Sequence, residues 1–196
     1  MDNQQPSTAE RDVSKAREEI IAEAKRIEEA LLYSSKGHFA AASRWGYFHL
    51  GVGVPMVILA SISSATALAA FSAGKTIAGV CSIIVTVLSA LITFLNPKER
   101  SGTHLNAANS YDSLMNKTRI FWSIDCWRDE SDQVLTEKLK YLSEQKDKLN
   151  QSYPQVPFWA YRTAKRGIEA GEGDYVIDSP KAKAINAGTK EPEARS

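Results

Sequence analysis

WGYFHLGVGVPMVILASISSATALAAFSAG (45–74), one lysine at position 75, and TIAGVCSIIVTVLSALITFLNP (76–97) follow one another in the middle of this chain. In the first run His49 is the only residue among Asp, Glu, Lys, Arg and His. The second has no Asp, Glu, Lys, Arg or His before Lys98. Each run exceeds the roughly 20 residues an α-helix needs to cross about 30 Å of hydrocarbon. A spanning segment must satisfy its own backbone hydrogen bonds, and neither run alternates as a barrel strand would, so both are expected to be helices. The expected fold class is therefore all-α, a membrane protein with a two-helix transmembrane hairpin flanked by cytoplasmic amphipathic helices.

Bulk composition hides this, because 24% of the 196 residues are charged and the mean hydropathy is slightly negative. The charges are segregated to either side of 45–97. A net charge of +1 provides no clustered basic footprint, so nucleic acid is not an expected partner. Cys81 lies in the second apolar run and Cys126 far outside it, which points to two free thiols in a reducing compartment. No secretory leader is expected ahead of the hairpin, since the first 44 residues are charged and the first run is too long for a signal core. Lys25, Arg26, Lys36 and Arg44 precede the first span and Lys98 and Arg100 follow the second, against Lys75 alone in the loop, so both termini are expected on the cytoplasmic side of the inner membrane. Asn116-Lys117-Thr118 fits a glycosylation acceptor, but on that side it is a chance match.

Outside the hairpin the period is helical. Val13, Ala16, Ile20, Ala24, Ile27 and Leu31 form one narrow stripe, with Ser7 and Thr8 as N-cap candidates. Such a stripe packs either on the chain's own later helices or on another subunit as a short coiled coil. After Asn96-Pro97 a helix resumes with Ala107, Tyr111, Leu114, Thr118 and Phe121 on one face. Leu135, Leu139, Leu142 and Leu149 mark another. Tyr153-Pro154-Gln155-Val156-Pro157 interrupts the pattern before a short helix from Phe158 to Ile168. The expected organisation is a flexible 1–10, a cytoplasmic helix 11–44, spans 45–70 and 76–96, cytoplasmic helices 98–168, and a disordered tail 169–196 without core-forming period.

Ser82, Thr86, Ser89 and Thr93 recur at steps of four, three and four in the second span, with Lys75 and Asn96 extending the line at its ends. At about 100° per residue these groups share roughly a quarter of the helix surface, and Val80, Ile84, Val87, Leu91 and Leu95 fall opposite. One interpretation is a hydroxyl-lined pore built from several copies, with Lys75 and Asn96 near the mouths. The other is a packing seam, because hydroxyls in membrane helices bond to their own i−4 carbonyls or to a neighbouring helix. Small residues also recur at steps of four, as Gly74, Ala78, Ser82, Thr86 and Ala90, and as Gly53, Val57, Ser61, Ala65 and Ala69. Gly53, Ser61, Ala65, Gly74, Ala78 and Ala90 are accordingly helix-packing candidates within the hairpin or between subunits. Gly51, Gly53 and Pro55 are candidates to loosen the first span, Trp45, Tyr47 and Phe48 for an interfacial belt. His49 among them is read as interfacial, with pH sensing as the alternative.

Ala69-Ala70-Phe71-Ser72-Ala73-Gly74-Lys75-Thr76 loosely fits a phosphate loop, but that loop works between a strand and a helix, and here both flanks are membrane-length runs. His38, His49 and His104 have no partner at metal-ligand spacing, and the cysteines form no CxxC. No catalytic residue, metal or cofactor is expected, and the chain is not expected to be an enzyme.

The order of elements, the exit Leu95-Asn96-Pro97-Lys98-Glu99-Arg100, the His104 to Tyr111 helix and the Tyr153-Pro154-Gln155-Val156-Pro157 turn resemble the SLATT domain. That is the two-transmembrane effector domain associated with SMODS nucleotidyltransferases and SLOG sensors, and the resemblance covers about Arg11 to Ile168. It implies a membrane effector of a prokaryotic conflict or anti-phage system that oligomerises on a cue and breaches the inner membrane. The lipid bilayer and further copies of the chain are then the implied partners. No fused sensor domain is expected, so the trigger is expected from a separately encoded sensor or nucleotide-signal-producing partner. The competing expectation is a non-conducting anchor whose cytoplasmic helices bind a partner. A third is a soluble protein that inserts its hairpin on demand.

Overall fold

The computed structural model describes residues 8–68 and 73–173, with side chains described from Lys15 onward. It is all-helical over these residues: α1 Thr8–Leu68, α2 Gly74–Leu95, α3 Pro97–Ser123, a 3-10 turn Asp125–Trp127, α4 Asp132–Ser152 and α5 Phe158–Glu169. The segment expected as a cytoplasmic helix, 11–44, and the one expected as a span from Trp45 lie on the same helix. α1 is one unbroken helix of 61 residues, about 90 Å long, running through Gly51, Gly53 and Pro55. Nothing between Leu31 and Trp45 interrupts it, since Ser34, Ser35 and Gly37 are all accommodated on a packed helix. Its membrane-length part and its amphipathic part are therefore one continuous rod. Ser7, Val13's side chain, Ala69, Ala70 and the tail beyond residue 173 lie outside the described residues.

α2 returns beside α1, starting two residues before the expected position 76. Its end is set by Asn96, which sits in the left-handed region at φ 43° and donates its backbone N–H to Ile92 O. Asn tolerates this conformation better than a branched residue, and its side-chain amide donates to Glu99. Pro97 then opens α3 at a position where its missing N–H costs nothing.

α3 runs antiparallel to α1. Ser101 Oγ donates to Ala42 O at 2.8 Å, Ser35 Oγ donates to Ala108 O at 3.2 Å, and Trp122 Nε1 donates to Glu28 at 2.5 Å. The N-terminal stripe is covered within the chain: Ile20, Ala24, Ile27 and Leu31 are buried with Ala107, Tyr111, Leu114, Met115, Phe121, Cys126, Leu135 and Leu142. Ala16 is exposed. Arg17 fastens the start of α4 to α1, pairing with Asp132 at 3.2 Å and donating to Glu130 O at 2.5 Å. Ser131 caps α4 by accepting from Val134 N. The turn at 153–157 lies so close to α1 that a Cβ on Gly37 would stand 2.7 Å from Val156. Both cysteines are buried free thiols.

Candidate functional site

Each helix of the hairpin presents one face to the other. On α2 the buried or half-buried positions are Gly74, Ala78, Cys81, Val85, Leu88, Ile92 and Leu95; on α1 the line facing them is Val52, Met56, Leu59, Ser63 and Thr66, with half-buried Gly53 beside Val52. Both sets step by four and three, the seven-residue repeat of antiparallel helices meeting along a straight seam. Ser63 Oγ crosses it, donating to Ala78 O at 2.9 Å and lying 2.8 Å from Ser82 Oγ.

The seam is not the hydroxyl stripe. Ser82, Thr86, Ser89 and Thr93 each follow a seam residue by one position, which turns them about 100° away from it. All four are exposed, and Ser82 meets α1 through Ser63. Val80, Ile84, Val87 and Leu91 flank the seam on its other side and are also exposed. α2 thus carries a packed seam between a hydroxyl flank and an aliphatic flank. Thr86 Oγ1 donates to Ser82 O at 2.8 Å and Thr93 Oγ1 to Ser89 O at 2.9 Å. Lys75 is exposed at the hairpin tip, and Asn96 is the exposed joint between α2 and α3.

The small-residue candidates divide. Gly74 and Ala78 are buried against α1, whereas Ala90 points to the far side of α2 and is exposed. On α1, Gly53 is half-buried, and Ser61 and Ala65 are exposed on the face turned away from α2. Ser61 Oγ bonds back to Val57 O at 2.9 Å. Ala69 lies outside the described residues, as does the 69–72 part of the phosphate-loop match, and no strand adjoins the rest of it among the described residues.

The chain also joins two histidines that linear spacing keeps apart. His38 on α1 and His104 on α3 are buried, with their Nδ1 atoms 2.8 Å apart. A contact that short requires one imidazole to donate and the other to accept, so the pair is stable only while at least one ring is neutral. His38 stacks on Tyr111, whose hydroxyl donates to Asn150 at 2.9 Å. Burial, reinforced by the neighbouring His104, pushes His38 down to about 4, and burial also holds His104 below the ordinary imidazole range. Among the described residues no cluster of three or more His, Cys, Asp or Glu side chains is placed to hold a metal. A sequence signal existed: His38 prolongs the Ile20–Leu31 stripe through Ser35, and His104 precedes Ala107 by one helical step.

Two helices are long and apolar enough to cross a membrane, and their most apolar stretches are 0% and 6% buried within the chain. No protein family's sequence profile, no curated protein and no solved structure matches this chain.

Proposed function

We propose that the protein inserts its hairpin into the inner membrane with both termini cytoplasmic and assembles there into a homo-oligomer. The hydroxyl flank of α2 then lines a conducting pore. The observation that carries this reading is the exposure of Ser82, Thr86, Ser89 and Thr93 beside an already completed seam. A polar face that the hairpin does not use is available to a wet lumen, while the aliphatic flank faces lipid or the next copy. With the resemblance to SLATT domains, the pore becomes that of a conflict-system effector, opened by a cue from a separate sensor or signal-producing protein. Thr86→Leu with Ser89→Leu should abolish depolarisation on induced expression while leaving membrane insertion and assembly intact. Equal toxicity of variant and parent would remove the pore.

One observation favours a second reading. Thr86 and Thr93 satisfy their hydroxyls on their own helix, so this face needs no water and tolerates lipid. The hairpin is then a non-conducting anchor, and the α1–α3–α4 bundle docks a partner.

A further inference from the structure

Three arginines cluster where the hairpin meets the bundle, each laid against an aromatic ring. Arg44 lies 4.6 Å from the Trp159 ring, Arg100 5.2 Å from Trp45, and Arg162 5.8 Å from Phe158. These residues come from α1, α3 and α5 and share one level of the molecule, because Ser101 bonds to Ala42 and Arg100 Nε donates to Leu95 O at the end of α2. All three guanidinium groups are on exposed residues, and none forms a salt bridge among the described residues. Lys165, on the same short helix, is instead occupied by Glu169. Phe158 is 74% exposed at the first turn of α5, while Ala160 and Ala164 of that helix are buried.

A guanidinium held over a ring still offers N–H groups to the oxygens of a phosphate, and Arg100, whose Nε is taken by Leu95 O, offers its two terminal amino groups. An exposed phenylalanine beside such groups is unfavourable in water and favourable among lipid headgroups. We propose that Arg44, Arg100 and Arg162, seated on Trp159, Trp45 and Phe158, form a collar that binds the phosphates of anionic lipids in the leaflet next to the bundle. Phe158 inserts between the headgroups. The collar rests on the reading of the hairpin as membrane-spanning, is continuous with the two apolar helices, and complements a negatively charged leaflet.

The full-length chain in phosphatidylcholine vesicles, probed with spin-labelled phosphatidylglycerol or spin-labelled phosphatidylcholine, tests this. The protein should restrict the anionic probe about fivefold more than the zwitterionic one, the effect of one well-seated cation at the surface. Arg44→Gln with Arg162→Gln should bring that ratio to about one, and Arg44→Lys with Arg162→Lys should retain most of it. Lys15→Gln with Lys140→Gln, which removes two exposed cations away from the collar, should leave it unchanged. If the glutamine variant loses helicity, the wild-type ratio decides instead: it should vanish at 1 M salt, where the screening length is about 3 Å. Equal restriction of both probes by the wild type, a ratio unaltered in the glutamine variant, or one that survives 1 M salt overturns the collar with the spans intact. No restricted lipid of either kind overturns the membrane reading itself.

Discussion

At the residue scale the His38–His104 contact makes stability depend on acid. The folded chain holds His38 at about 4, whereas an unfolded imidazole titrates near its ordinary value, so between these the unfolded state binds more protons. The pair's contribution is complete above about pH 6.5 and is lost as pH falls toward 4. Lowering pH from 7 to 5 should cost about 2 kcal/mol, read by denaturant unfolding of the detergent-solubilised chain. His38→Phe, which keeps a ring against Tyr111, should flatten that profile; superimposable profiles would assign the titration to other groups. Asn96 makes a separate prediction from its φ of 43°. Asn96→Gly should be tolerated, and Asn96→Val should cost about 1–2 kcal/mol, measured as a shift of the thermal transition.

At the element scale, the periodicity of each helix was open to inspection in one dimension, and its partner was not. The Ile20–Leu31 stripe announced a packed face equally suited to a second subunit. It is α3 and α4 that cover it, since Leu31 and Leu135 are fully buried within one chain. Leu31→Ala should therefore destabilise the chain by about 3 kcal/mol without dependence on protein concentration. The hairpin seam yields a paired test. Ala78→Leu should wedge the spans apart and expose Cys81, raising its maleimide labelling as read by peptide mass mapping. Ala90→Leu, on the far side of α2, should leave Cys81 protected. The same labelling in both variants would mean that the seam is not the one between Ala78 and Ser63.

At the scale of the whole molecule, α1 joins bundle and hairpin as one rod, so a change in bundle packing is transmitted to the spans without a hinge on that side. The return path differs, with Asn96 interrupting α2 and α3. Replacing the hairpin with an unrelated two-span anchor should leave the bundle's thermal transition unchanged, because its buried core contains no residue from 45–95. A pore-former would lose depolarisation in that chimera and a scaffold would keep its partner. Sequence alone determined the two apolar lengths, the stripes and the hydroxyl face of α2, because hydropathy and helical period are properties of consecutive residues. Only tertiary structure decided that the hydroxyls flank the seam, that the N-terminal stripe is covered in cis, and that His38 meets His104 across 66 residues. Those outcomes depend on how helices are rotated against one another, and that rotation is set by which combination of faces buries the most apolar surface together.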